Sequence, residues 1–392
     1  MSTTAKAHGL DGSLVEPDWP PLTTDEVHTV LTRYPDLCGP FEILSTSPRP
    51  LSAASTVAAG AQRVFVKRHS CAVRDAEGLR EEHRFIAHLC ANGAPVPGVL
   101  VNDAGDTVVS LSEWTYEVHS IPDGIDAYED AISWTPFRSG AHAHAAGRML
   151  ARMHVAAQGY DAPARRNRQL VAGFTIFASA NPQRELGSYL ATRPALRKYL
   201  EPRDCAAEAF DLLAPFHSEL LPLFPELPPL WTHNDLHPSN LFWSGATPEA
   251  HATAAIDFGL CDRTNAVHDL AHAIERSMVE WLVLVNDPQH PARVPVHADH
   301  LAALLRGYES VRPLSSAEAS ALPPMLALCH AEFALSETDY FLSVLHSEEM
   351  AYMACEGYLL NHAQWWCGPG VVLLDKLRAR AARPVKVPGG PA

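Results

Sequence analysis

The chain is 392 residues long, 47% hydrophobic and 19% charged, with a formal net charge of −15. That length and composition fit two or three domains with a large core, and the acidic balance excludes a basic nucleic-acid surface while permitting a cationic small molecule. The opening residues lack a basic segment followed by an apolar core, no stretch is long enough to span a bilayer, and the eight cysteines stand singly with no CxxC pair. A cytoplasmic protein with reduced, mostly buried thiols and neither a nucleic-acid nor a membrane partner is therefore expected.

Residues 1–24, rich in Pro, Ser and Thr, read as a mobile N-terminal segment. Thr24 suits the N-cap of a short helix that ends near Pro35. A first lobe is expected over 25–118. Alternation makes strands of residues 41–45 and 64–68, with the Ser- and Ala-rich stretch 47–57 as a loop between them. In the helix that follows, Phe85, Ile86 and Leu89 stand three, four and seven positions after Glu82, which turns Glu82 toward the core and Glu81 elsewhere. Asn92 and Gly93 end that helix, with Gly at C′. Residues 99–101 and 107–111 read as a hairpin around 102–105, and 114–118 as the last strand and the hinge.

From 119 to 382 the pattern is mainly helical. Residues 142–154 form a helix with Ala146, Leu150 and Met153 on one face; His142 and His144 fall on different faces with no interleaved carboxylate, so they read as packing and surface residues. Repeated prolines break 161–229 into short helices. The Pro- and Gly-rich residues 383–392 read as a disordered tail.

Two stretches of the second lobe carry chemistry. Residues 233–240, HNDLHPSN, place Asp235 five positions before Asn240, the spacing of a phosphoryl-transfer loop in which the Asp takes the proton of an attacking hydroxyl and the Asn holds a magnesium ion. Seventeen positions beyond Asn240, Asp257 follows an apolar run and precedes Phe258 and Gly259. A hard cation on polyphosphate takes few protein carboxylates, so one Asp with one Asn amide oxygen makes a sensible pair.

With these paired motifs the chain resembles the aminoglycoside phosphotransferase and choline kinase group of small-molecule kinases. Asn234 stands where eukaryotic protein kinases have Arg, and with Leu236, His237 and Pro238 it looks like the small-molecule branch. The resemblance implies an α+β, bilobal protein-kinase-like fold, with a small antiparallel-sheet lobe and a large helical lobe. It implies Asp235 as the catalytic residue and Asn240 and Asp257 as magnesium ligands. Lys67, held by Glu82, would pair with the phosphates of ATP or GTP, and the 47–57 loop would cover the nucleotide. That loop has no glycine, so Ser52 and Ser55 are expected to take the place of flexible backbone amides. Asp269 is expected to accept backbone hydrogen bonds from the catalytic loop. The 161–229 segment would lie over the substrate side. Acidic residues of the C-terminal helices, Glu332, Glu337, Asp339, Glu348, Glu349 and Glu356, would either line a pocket for an amine-bearing acceptor or form a solvated surface.

The leading reading is transfer of a γ-phosphoryl group from a magnesium nucleotide to a hydroxyl of a small acceptor: an antibiotic, amino alcohol, amino acid or sugar. A nucleotide-binding pseudokinase acting as a regulatory module is the alternative. A metal-dependent hydrolase built on His233, Asp235 and His237 would leave the Asp257 motif unexplained. Neither the acceptor nor the oligomeric state can be read from these residues.

Overall fold

The computed structural model describes residues 18–47, 49–131, 133–166 and 169–382. Residues 1–17, Pro48 and the 383–392 tail, with the expectations attached to them, lie outside the described residues.

A five-stranded antiparallel sheet forms the first layer, built from β1 (Phe41–Thr46), β2 (Ala53–Ala59), β3 (Gln62–Ser70), β4 (Val109–Leu111) and β5 (Trp114–Ser120) in the order β1-β2-β3-β5-β4. Alternation sorts its faces. Val57, Val64, Val66 and Val118 point to one side, where they bury Val27, Val30 and Leu31 of α1 (Thr24–Leu31). Lys67 and Phe65 point to the other. The N-cap of α1 is Thr23 rather than Thr24: Thr23 and Glu26 form a capping box, and Glu26 also binds Arg68 and the Tyr116 hydroxyl, each at 2.6 Å. The residues just before it do not hang free. Leu22 is buried, Trp19 packs edge-on against Trp114, and Tyr340 donates to Asp18.

Asp75 caps α2 (Ala76–Ala91), which buries Glu82, Phe85, Ile86 and Leu89 and stops at Asn92, with Gly93 at φ +75°. The expected 99–111 hairpin does not form. Val99 bridges His119 and β4 pairs with β5, because the Asn102 side chain turns the connecting loop back on itself.

The second layer is helical. In chain order it contains α3 (Gly140–Ala156), α4 (Pro182–Ala191), α5 (Pro194–Leu200), α6 (Cys205–Leu220), α7 (Ala266–Met278), α8 (Trp281–Asn286) and α9 (Ala298–Glu309). It then continues through α10 (Ser316–Leu328), α11 (Ala331–Ser343), α12 (Glu348–Tyr352), the π-helical stretch Met353–Leu360, α13 (Asn361–Cys367) and α14 (Val371–Ala381). Not every proline is a break, since Pro215 sits inside α6. The backbones of α3 and α9 touch where Gly147 crosses Gly307; a Cβ on Gly147 would strike the Leu304 carbonyl, and one on Gly307 the His144 carbonyl.

Two short ribbons, β6 (Pro229–Thr232) with β9 (Asp262–Asn265) and β7 (Leu241–Trp243) with β8 (Ala252–Ala255), frame the stretch between the layers. The cysteines depart from expectation. Cys205 and Cys355 form a disulfide, and of the other six only Cys261 and Cys329 are buried. Among the described residues no helix is long and apolar enough to cross a membrane.

Candidate active site

The 233–240 loop joins β6 to β7 and is held from beneath by one buried carboxylate. Asp269, in the first turn of α7, accepts from His233 N at 2.9 Å and Asn234 N at 2.8 Å. Burial alone would raise its pKa, but His154 at 3.0 Å and these amides hold it below the ordinary carboxylate range. His154 is fixed in turn by the Tyr308 hydroxyl at 2.7 Å. The loop bends at Asn234, whose φ of 61° suits Asn better than a branched residue. His233 links the two motifs by a 2.9 Å contact to the Ile256 carbonyl, and Ile256 N donates to Asn240 O at 3.0 Å.

This scaffold brings Asp235, Asn240, Asp257 and Lys67 together. Asn240 Nδ2 donates to Asp235 O at 2.9 Å and to Asp235 Oδ2 at 3.1 Å. Asp257, at φ 60°, accepts from Lys67 Nζ at 2.9 Å. Burial disfavours both charges of that pair, yet each partner keeps the other ionised: Lys67 titrates above its usual range and Asp257 below its own.

Two cavities meet at these residues. One, of about 330 Å³, runs under β2 and β3 past Ala54, Thr56 and Phe65 to the strand exit at Ser120, Ile121 and Pro122. The other, of about 120 Å³, lies toward the helices and is walled by Trp134, Asp235, Arg276, Phe333 and Glu337. Arg49, Ser52, Lys67, Asn240 and Asp257 border both. A group passed from one cavity to the other would cross between Lys67, Asp257 and Asp235. Asn240 and Asp257 also suit Mg²⁺: they offer an amide and a carboxylate oxygen, and the Asn240 amide nitrogen is already committed to Asp235.

Other expected residues fall differently. Glu82 does not pair with Lys67; its carboxylate lies 3.4 Å from Arg165, although it borders the larger cavity. Ser55 faces away from the cleft, its hydroxyl buried on the α1 side of the sheet without a hydrogen-bond partner among the described residues, because 53–59 is a strand and Ser55 has the opposite parity to Ala54 and Thr56. Ser52 does reach the cleft. Of the six C-terminal acidic residues Glu337 alone lines either of these two cavities. Glu332 instead receives the backbone amides of Thr175 and Ile176, Asp339 lies 3.8 Å from Arg193, and Glu348 and Glu349 are exposed.

Three side chains went unread in the sequence. Glu117 faces Lys67 across β3 and β5 and binds His69, His83 and His119 at 2.7–2.9 Å. Burial would raise its pKa, but His119 and the other two imidazoles hold it well below the carboxylate range. Trp134 roofs the smaller cavity. Arg276 ion-pairs with Asp235 from α7 and lies under the rings of Trp134 and Phe333. It stands seven residues after Asp269 and hence on the same helical face, a signal that was legible.

Residues 52–314 match the Phosphotransferase enzyme family. The chain belongs to this family. Among curated relatives of this phosphotransferase, the homoserine kinase of Rhodopseudomonas palustris strain TIE-1 is 28% identical over 262 residues, covering 66% of this chain and 68% of that protein. The homoserine kinase of Rhodospirillum rubrum is 29% identical over 240 residues, or 61% and 62%. Among solved structures, a microcompartment-associated aminopropanol kinase superposes with a TM-score of 0.57 at 20% identity, over 92% of this chain and 98% of that one. The amicoumacin kinase hAmiN does so with 0.55 at 15% identity, over 86% and 92%. The fold is thus the α+β, bilobal kinase-like one, and the protein is a small-molecule kinase that phosphorylates a hydroxyl. It uses a nucleotide as co-substrate, with Mg²⁺. Nothing in these likenesses supports the regulatory-module alternative.

Glu337 gives the phosphotransferase a pH signature. Burial pushes its carboxyl up to about 8, against the pull of Arg276. A carboxyl whose folded pKa is raised contributes stability that is fully present below the unfolded value, about 4.5, and is lost as pH rises through about 8. Glu337→Gln removes that dependence. Melting temperatures measured across this window should fall more steeply with pH for the wild type than for the variant; parallel curves would mean that Glu337 is ionised throughout.

Proposed function

We propose that the acceptor is a small hydroxy acid or hydroxy amino acid whose carboxylate is gripped by Arg276. The observation that carries this is the state of that guanidinium. It is buried beside Asp235, one terminal nitrogen faces Asp235 Oδ1, and the remaining donors, Nε and Nη2, have no hydrogen-bond partner among the described residues. Leaving buried donors unpaired is costly, and a guanidinium edge with two free N–H groups matches a carboxylate fork. Arg49 and Arg74 add positive charge to the same cavity, while Glu337, protonated below about pH 8, does not cancel it. The homoserine kinases are relatives whose acceptor, homoserine, combines a hydroxyl with a carboxylate. This replaces an acidic, cation-attracting pocket as the basis for acceptor choice.

In this reading the nucleotide, ATP or GTP, lies in the larger cavity and the acceptor in the smaller. Asp235 takes the proton as the acceptor oxygen bonds to the γ-phosphorus and the bond to the β–γ bridging oxygen breaks. Lys67 neutralises charge on the phosphates, and Ser52 donates to them from the rim. Asn240 and Asp257 would hold Mg²⁺, which when bound neutralises the β- and γ-phosphate oxygens. Arg276 orients the acceptor and pairs with Asp235. Most of the rate gain comes from positioning and electrostatics. The reaction takes place in the cytoplasm, where the nucleotide is.

The test is a panel in which each hydroxy acid is paired with its neutral amide or alcohol counterpart, run with ATP and with GTP and read as mass gain of one phosphoryl group. Only the acids should be phosphorylated well. Arg276→Gln should raise the acceptor KM by at least about tenfold, the loss expected for a charged hydrogen-bonded pair, and leave the nucleotide KM nearly unchanged. Equal turnover of the neutral counterparts would overturn the reading.

A further inference from the structure

Behind the Trp134 and Arg276 wall lies a group of side chains that the phosphoryl-transfer chemistry does not use. Glu275 on α7, His330 at the N-cap of α11 and His362 on α13 converge from three separate helices, each no more than 3% exposed. Glu275 Oε1 lies 3.6 Å from His330 Nδ1 and 3.5 Å from His362 Nδ1, too far for hydrogen bonds. Both carboxylate oxygens and all four imidazole nitrogens lack a hydrogen-bond partner among the described residues. A carboxylate and two imidazoles left unpaired in one apolar pocket carry a desolvation cost, and a bound group would relieve it at the three atoms that converge, Glu275 Oε1, His330 Nδ1 and His362 Nδ1.

The chemistry of the set says what that is. Two imidazoles and one carboxylate are a ligand combination for Zn²⁺ and its first-row neighbours, not for Mg²⁺, which prefers an all-oxygen shell. Three donors, one from each residue, lie within 4.8 Å of one another. Metal–ligand bonds of about 2.0–2.2 Å in a tetrahedron separate donor atoms by about 3.4 Å, close to the two spacings seen here. The rings are also pinned: His362 stacks on Trp281 at 3.8 Å between centroids, and His330 meets Trp134 edge-on at 5.9 Å. Such an apolar, aromatic shell keeps the imidazoles oriented. The second three-residue group, His83, Glu117 and His119, differs because its carboxylate is already hydrogen-bonded to the imidazoles.

We propose that Glu275, His330 and His362 form a structural zinc site, distinct from the magnesium site of the cleft, that ties α7 to α11 and α13. A water molecule completes the fourth position. The bound ion holds together three helices far apart in sequence, and its presence does not depend on what the acceptor is.

The whole chain, produced in zinc-supplemented medium with a histidine-free tag and no chelator, is analysed for metals by mass spectrometry. About one zinc per chain is expected. After chelation and return to excess Mg²⁺, which saturates the oxygen-ligand site of the cleft, added Zn²⁺ should raise the melting temperature. Co²⁺ in its place should give visible d–d absorption without thiolate charge-transfer bands. Glu275→Gln, which keeps the side-chain volume, should weaken Zn²⁺ by at least about tenfold. A chain without zinc as isolated, showing no response to Zn²⁺ or Co²⁺, overturns the proposal. Equal zinc binding by the Gln variant, or thiolate bands with Co²⁺, also overturns it, since the metal would then sit on exposed thiols such as Cys38, Cys90 or Cys367. If the variant does not fold, the wild-type cobalt spectrum decides.

Discussion

Asp235→Asn should lower turnover by at least about 100-fold, the usual loss when a positioned acid/base group is removed, while magnesium-nucleotide binding stays nearly intact. The substitution keeps the side-chain shape and an oxygen for Asn240 Nδ2, which donates to Asp235 at 3.1 Å. It removes the base and, with it, the counter-charge of buried Arg276. The larger cavity, where we place the nucleotide, is bordered instead by Lys67, Asn240 and Asp257, so nucleotide-dependent thermal protection should persist. A fall of less than about tenfold with a good acceptor would show that another group takes the proton.

Asp257→Ala is expected to abolish magnesium-dependent nucleotide protection altogether. It removes the carboxylate offered to the metal and also strips Lys67 of the partner 2.9 Å away that keeps it ionised in a buried site. The two effects share one contact. Lys67→Ala and Asp257→Ala should therefore be strongly non-additive in a double-mutant cycle on catalytic efficiency, whereas Lys67→Ala and Glu82→Ala should combine nearly additively. Glu82 sits against Arg165 instead. Persistent protection in Asp257→Ala with magnesium still required would move the metal to other ligands.

What could be read from the sequence depended on whether the chemistry sat in one stretch or was assembled from several. Asp235, Asn240 and Asp257 lie in two motifs of fixed spacing, and Asp269 follows at a short interval, so their convergence was legible before any coordinates. Lys67 was legible through the resemblance, as the lysine at the end of the 64–68 strand, and the strand's alternation puts it on the face opposite Val64 and Val66. Its carboxylate partner was not, because Asp257 and Glu82 both lay within the family pattern and only the packed geometry separates them. A loop over 47–57 would let Ser55 reach the cleft, since parity has no meaning there; because 53–59 is a strand, one step along the chain changes the face. The acidic helices misled through composition. Net charge sums over the whole surface, whereas the smaller cavity, where we place the acceptor, is lined by Arg276 and by Glu337, whose carboxyl burial pushes up to about 8. The Cys205–Cys355 disulfide joins residues 150 apart, a separation at which single, irregularly spaced cysteines give no pairing signal.

The crossing of α3 and α9 limits how this enzyme can be diversified. Tyr308 directly follows Gly307, its hydroxyl bonds His154, and His154 bonds the Asp269 carboxylate that carries the catalytic loop. Even a methyl group at Gly147 or Gly307 must push the two helices apart, and the displacement reaches the His233 and Asn234 amides through three successive hydrogen bonds with every cleft residue unchanged. Mutant libraries built to widen the acceptor range will accumulate inactive clones at these two remote glycines. The productive positions for randomisation are Ser133, Trp134 and Phe333, which line the smaller cavity itself.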